Sequence, residues 1–232
     1  SGDPPEKVEA RRYFTDLYIH PPAPPSTEAG HHRFVWDLRY PRPRADRYDY
    51  MISAIAGEDT PVAPRGPLAV PGRYTVRLIV DGATQEQPLV VTPDPRVKAA
   101  PEVLVERLAF EKTVVAAMGE SYDALVRVRA LHKKLSGKTA ERARTLEAGK
   151  PPSTGLAGVN ALLATLLEGV DGSDDAPTST QKEAYARTRA NLDRLVSEWK
   201  SLEAEARARG IAVNDLDLDA PDSSERAGVE IE

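Results

Sequence analysis

The hydrophobic pattern changes period near residue 100. Before that point apolar and polar residues alternate; after it apolar residues recur every three or four positions. In residues 33–40, RFVWDLRY, the residues Phe34, Trp36, Leu38 and Tyr40 alternate with Arg33, Val35, Asp37 and Arg39. Such alternation predicts a strand with one apolar face and one mostly polar face. Residues 72–91, GRYTVRLIVDGATQEQPLVV, predict a hairpin. Tyr74, Val76, Leu78 and Val80 share one face, and Asp81-Gly82 supplies the tight turn. Weaker strand patterns cover Glu9–Phe14 and Met51–Ala56. The polar or proline-rich stretches PPAPPSTEAG and GEDTPVAPRGPLAVPG read as the loops between them. Short strands separated by turns predict a small β-sandwich over residues 1–97, immunoglobulin-like in general plan.

The second half predicts amphipathic helices. The first runs from about Glu102 to Leu135, with Leu108, Val115, Met118, Tyr122, Leu125 and Leu135 on its stripe, and stops at Ser136-Gly137. A short helix over Thr139–Ala148 ends at Gly149, and GKPPSTG is a loop. Leu156, Val159, Leu162, Leu163, Leu166, Leu167 and Val170 mark a compact third helix that ends at Asp171-Gly172. The last helix begins near Thr178 or Thr180. Both Thr178…Gln181 and Thr180…Glu183 fit a capping box. Its stripe is Tyr185, Leu192, Leu195, Trp199 and Leu202, and it ends at Gly210. Long helices joined by short loops predict an up-down bundle of three to four helices over residues 98–210. The expected fold class is therefore α+β in two segregated domains, the sandwich followed by the all-α bundle.

Composition sharpens this division. Sixteen of the 20 prolines lie at or before Pro101, where they block helix formation. The boundary is expected near Pro93–Pro101. Residues 211–232 carry seven acids (Asp215, Asp217, Asp219, Asp222, Glu225, Glu230, Glu232) and one base, Arg226. With a formal net charge of −5 for the chain, the rest sums to +1, so the acidity belongs to a tail expected to be solvated and mobile. Without a global basic field, nucleic acid is not an expected partner. The chain has no cysteine, which excludes disulfides, thiolate nucleophiles and cysteine zinc sites. No apolar run approaches the roughly 20 residues of a membrane span. The chain opens SGDPPEK without a methionine or a signal peptide and reads as a processed piece.

Candidate chemistry concentrates in residues 31–50. His31 and His32 are adjacent, so in a strand they point to opposite faces and do not share a metal. Asp37, Arg33 and Arg39 read as a salt-bridge ladder on the polar sheet face, since a catalytic carboxylate needs a desolvated partner. Arg39, Tyr40, Arg42, Arg44, Arg47, Tyr48 and Tyr50 interleave cations and rings. That mixture fits an interdomain or protein contact. The alternative is a carbohydrate-binding module in which Tyr40, Tyr48 and Tyr50 stack on sugar rings. Trp36 and Trp199 both sit on apolar stripes and read as core. Phosphate-loop, dinucleotide, zinc-protease and nucleophile-elbow motifs are lacking, so no cofactor, metal or catalytic residue is expected. Self-association through a seam of the bundle is a third reading.

Two segments also carry a family resemblance. AGHHRFVWDLRYP and GPLAVPGRYTVRLIVDGATQEQPLVVTPDPRV resemble the C-terminal region of large bacterial BNR-repeat glycosyl hydrolases and sortilin-like β-propeller proteins. The resemblance covers about residues 27–97. The helical half is similar more loosely, through ALLATLLEGVDGSDDAPTSTQKEAY. His31 and His32 stand where that family commonly has Leu and Asn. The chain holds no Asp-box and no propeller blades, so no catalytic residue carries over. The resemblance implies a secreted or periplasmic setting, an upstream propeller in the same polypeptide, and a non-enzymatic accessory role.

Overall fold

The computed structural model describes Ser26, residues 28–50 and residues 62–211, and the Tyr50 side chain is outside that set. The strands expected at Glu9–Phe14 and Met51–Ala56, and the acidic tail from residue 212 onward, lie outside the described residues. In chain order the elements are β1 (Asp49–Tyr50), β2 (Val62–Ala63), β3 (Gly72–Val80), β4 (Ala83–Val91), α1 (Pro101–His132), α2 (Gly137–Ala148), β5 (Gly149–Lys150), β6 (Ser153–Thr154), α3 (Leu156–Asp171) and α4 (Ser179–Ala208).

Helix α1 is the spine. Pro101 sits in its first turn, where a missing amide donor costs nothing. Its buried stripe includes Val114, Met118, Leu125, Val128 and Leu131. Leu156, Val159, Leu163 and Leu167 of α3 and Leu192, Leu195, Trp199 and Leu202 of α4 complete one apolar cluster, with Ala143 and Leu146 from α2. Each fully buried leucine contributes about 1.5–3 kcal/mol relative to exposure. Of the two capping boxes the sequence offers, Thr178 with Gln181 forms. The Gln181 amide donates to Thr178 Oγ1 at 3.2 Å, and the Thr178 amide donates to Gln181 Oε1 at 2.8 Å.

The immunoglobulin-like sandwich is not formed. Strands among the described residues pair only as two-stranded antiparallel units, β1 with β2, β3 with β4 and β5 with β6. Residues 33–40 make no strand. Leu38 adopts a left-handed φ of 63°, and the only ladder contact among the described residues is a single bridge from Arg39 to Leu68. Phe34 and Val35 are exposed, and Trp36 is half-buried. Alternation gives a segment two faces; it does not supply a second sheet to cover one of them. The prolines at 41, 43, 64, 67 and 71 remove the amide donors a ladder needs.

These proline-rich stretches lie instead against the helices. Pro43, Ala45, Pro64, Gly66, Pro67 and Ala69 are buried, and Ala45 joins the helical core cluster. Two backbone bonds clip the stretches together, from Tyr40 N–H to the Pro67 carbonyl at 2.9 Å and from Ala69 N–H to the Leu38 carbonyl at 2.7 Å. Gly66 permits the approach, since a Cβ there would stand 1.9 Å from the Tyr40 carbonyl oxygen. The hairpin β3–β4 projects from this layer. Asp81 (φ 50°) and Gly82 (φ 79°) form its turn, the type whose twist matches paired strands.

Candidate functional site

Two features could carry function: the ionic seam beneath residues 39–48, and the surface of the hairpin. The seam begins at Arg39. Its guanidinium is not on a solvent ladder with Asp37; Asp37 instead accepts the Arg39 amide at 2.9 Å. The Arg39 side chain reaches across the chain, donating to Asp171 Oδ1 at 2.9 Å and to the Gly66 carbonyl at 2.7 Å. Arg65 approaches the other oxygen of Asp171 at 3.6 Å. Arg44 grips Asp123 on α1 through two bonds, the longer 2.8 Å. Asp46 receives Arg129 of the same helix, which also donates to Glu147 at 2.8 Å. Those two carboxylates push the Arg129 pKa further up, with the Asp46 bond the larger cause.

Asn160 of α3 fixes the segment between these ion pairs. Its Oδ1 accepts the Asp46 amide at 2.8 Å. Its Nδ2 donates to Ser121 Oγ at 2.9 Å and the Met118 carbonyl at 3.1 Å, with the Arg44 carbonyl at 3.3 Å. A buried amide with both ends occupied specifies one register for the chain above it.

The expected aromatic platform is largely engaged. Tyr40 lies under Lys112, 4.2 Å from ring centroid to ammonium. Arg42 stacks over Tyr48 at 5.3 Å, and the Tyr48 hydroxyl donates to the Pro43 carbonyl at 2.7 Å while accepting the Ala45 amide at 3.1 Å. Tyr40 and Tyr48 are half-buried, and Arg47 is exposed. Thus the structure brings Arg39, Tyr40, Arg44 and Tyr48 onto the helical face as packing and pairing groups. It does not assemble them into one open surface. His31 and His32 are exposed, and His32 Nε2 lies 2.6 Å from the Glu28 carbonyl.

The most perturbed carboxyl is one the pattern reading missed. Glu111 of α1 is fully buried, and neither carboxyl oxygen has a hydrogen-bond partner among the described residues. Burial pushes its pKa up to about 7, opposed by Arg107 and Arg39 and reinforced by Asp171. Arg107, also buried, stands 3.9 Å from Glu111 but spends its Nη1 on the Ser173 carbonyl at 2.6 Å and Asp174 at 3.2 Å. Positions 107 and 111 fall at helical spacing on the α1 stripe with Leu104, Leu108 and Val114. Polar residues at core positions were the available signal. Two surface depressions, one beside Asp94, Arg96 and Asp174 and one at the Pro151-Pro152 turn, are lined without Glu111. The carboxyl can exchange a proton, and neither depression opens onto it. Among the described residues no group of three His, Cys, Asp or Glu side chains is placed to hold a metal. No helix among the described residues is long and apolar enough to cross a membrane.

The hairpin is the contrasting surface. Val76 is 49% exposed, Leu78 57%, Ile79 64% and Val90 63%. These side chains occupy both faces, because 76 and 78 alternate with 79. Its base is held where Tyr74 meets Trp36 edge to face at 5.5 Å and donates to the Val70 carbonyl at 2.5 Å.

In comparisons with known proteins, no family model, curated protein or solved structure matches this chain.

Proposed function

We propose that this chain is a non-catalytic accessory region, which packs against a larger domain of the same polypeptide and supports or displays it. The resemblance of residues 27–97 makes that larger domain a β-propeller in a secreted or periplasmic protein. The observation that carries the reading is the hairpin. Clustered aliphatic side chains lie exposed on a structured element, and such clusters mark contact surfaces. The ionic seam supports the same reading. Its cations and carboxylates hold residues 39–46, beside the hairpin's base, to the helices.

The deciding experiment is the native mass. An antibody to this chain, applied to source cells and their secreted fraction, is expected to detect a species far above 25.2 kDa. Hydrogen exchange on that species is expected to slow the β3–β4 amides relative to the isolated chain. A native species near 25.2 kDa overturns the accessory reading.

A further inference from the structure

Residues 39–46 run along α1 in the direction of the helix. Tyr40 lies under Lys112, Arg44 holds Asp123 and Asp46 holds Arg129. On α3 the contacts fall in reverse order, Arg39 at Asp171 and Asp46 at Asn160. The segment is therefore a strap along the groove between antiparallel α1 and α3. Its Asp46 end is anchored in the core by Ala45. Its Arg39 end is held differently. There Arg39 spans Asp171 and the Gly66 carbonyl, and Arg65 approaches Asp171 at 3.6 Å. Two backbone bonds complete this junction, from the Tyr40 amide to the Pro67 carbonyl and from the Ala69 amide to the Leu38 carbonyl.

Glu111 lies at the Arg39 end, where the charges of Arg107, Arg39 and Asp171 all act on it. None of the cations there donates to it. Arg39 is spent on Asp171 and the Gly66 carbonyl, and Arg107 Nη1 on the Ser173 carbonyl and Asp174. Arg107 Nε stands 3.9 Å from Glu111 Oε1, beyond hydrogen-bond reach, and is itself buried without a partner among the described residues. From α4, Lys182 pairs with Glu106 and Tyr185 reaches the Thr113 carbonyl. Positions 106 and 113 lie roughly 140–160° round α1 from Glu111. A neutral carboxyl tolerates such a place, whereas a carboxylate without donors is strongly disfavoured. We infer that Glu111 is a proton-operated latch for the Arg39 end of the strap. Neutral, it stays buried and the junction stays shut. On ionising, it gives its proton to solvent and parts residues 38–40 and 65–69 from α1 and α3, loosening the layer from which the hairpin projects. The Asp46 end stays docked through Ala45, Asn160 and the Arg44 and Asp46 ion pairs. The latch goes beyond the accessory reading and does not rest on it, since native mass tests that reading and the isolated chain tests this one.

Amide exchange of the isolated chain, corrected for the intrinsic rate at each pH, tests the inference. Burial raises the Glu111 carboxyl to about 7 from its usual 4.5. With the higher value in the shut state, the latch is firmest below pH 4.5, loosens as pH rises to about 7, and then levels off. Protection of the Tyr40 and Ala69 amides is expected to fall roughly 40-fold between pH 5 and 7. Both should exchange faster at every pH than the amide of Leu195 in the buried stripe of α4, which marks the opening as local. Glu111→Gln is expected to abolish the pH dependence at both amides. Glu111→Met, also uncharged, is expected to do the same, so one poorly folded variant does not decide the matter. Flat protection at Tyr40 and Ala69 in the parent overturns the inference, because Glu111 then ionises in place by recruiting Arg107, or opens elsewhere. Protection equal to that of Leu195 makes the opening global and also overturns it. A pH dependence that survives both substitutions belongs to another group and rejects Glu111 as the latch.

Discussion

At the scale of single residues, the informative positions are polar side chains at core spacing. Glu111 holds its proton to about pH 7 when folded and releases it near 4.5 when exposed. Its folded value is the higher one, so its contribution is most favourable below pH 4.5 and is lost as pH rises to about 7. Glu111→Gln removes that dependence. Its Tm is expected to gain on the parent as pH rises from 4.5 to 7.5, by an amount corresponding to about 3 kcal/mol. A difference constant across that range refutes the assignment. Asn160→Ala leaves the Asp46 amide without its partner and removes one of the two side-chain donors to the Met118 carbonyl. A loss of about 2 kcal/mol is expected, with proteolysis in residues 39–48 at temperatures where the helices stay intact. Chemical denaturation and limited digestion check the two parts separately. Asn160 was not legible as a site in sequence, because a lone asparagine on a helix stripe gives no sign of which backbone it will meet. Arg39 was legible as a candidate, but its partner Asp171 stands 132 positions away.

Among the elements, helices read more faithfully than strands. The observed bounds of α1, α3 and α4 fall within three residues of those expected from periodicity, and the Thr178 cap was visible as a motif. A helix satisfies its own backbone, so its pattern needs only one apolar neighbour. The strand expected at residues 33–40 needed pairing partners on its edges and a layer above it. The hairpin met the first condition, because its turn is local. Thr178→Ala is expected to cost about 1 kcal/mol through loss of the N-terminal cap, read in thermal unfolding. Gly66→Ala is expected to cost more, since its Cβ would collide with backbone atoms of Tyr40 and Pro41. Loss of segment docking should accompany that change, seen as faster exchange at the Tyr40 and Ala69 amides. Faster exchange confined to the helices instead refutes this account.

For the whole molecule, stability and surface stickiness are separable. The core cluster lies in the helices and Ala45, whereas the hairpin carries a group of exposed aliphatic side chains, Val76, Leu78, Ile79, Val80 and Val90. Replacing Leu78 and Ile79 by serine is expected to leave Tm within about 1 °C of the parent, because exposed substitutions away from the core change stability little. The same double variant is expected to bind less hydrophobic dye and to abolish contact with the larger domain proposed here. A large drop in Tm refutes the separation. The sequence alone determined the change of regime near residue 100, the helical stripes, the hairpin turn and the missing cysteine chemistry. All of these depend on spacing between near neighbours or on composition. The tertiary structure alone decided that the proline-rich stretches lie on helices, not in a second sheet. It also decided that Arg39 and Arg44 pair with α3 and α1, that Glu111 is buried without a hydrogen-bond partner among the described residues, and that the hairpin keeps apolar side chains exposed. Each depends on which distant surfaces come together, and alternation or periodicity within a segment carries no information about its partner.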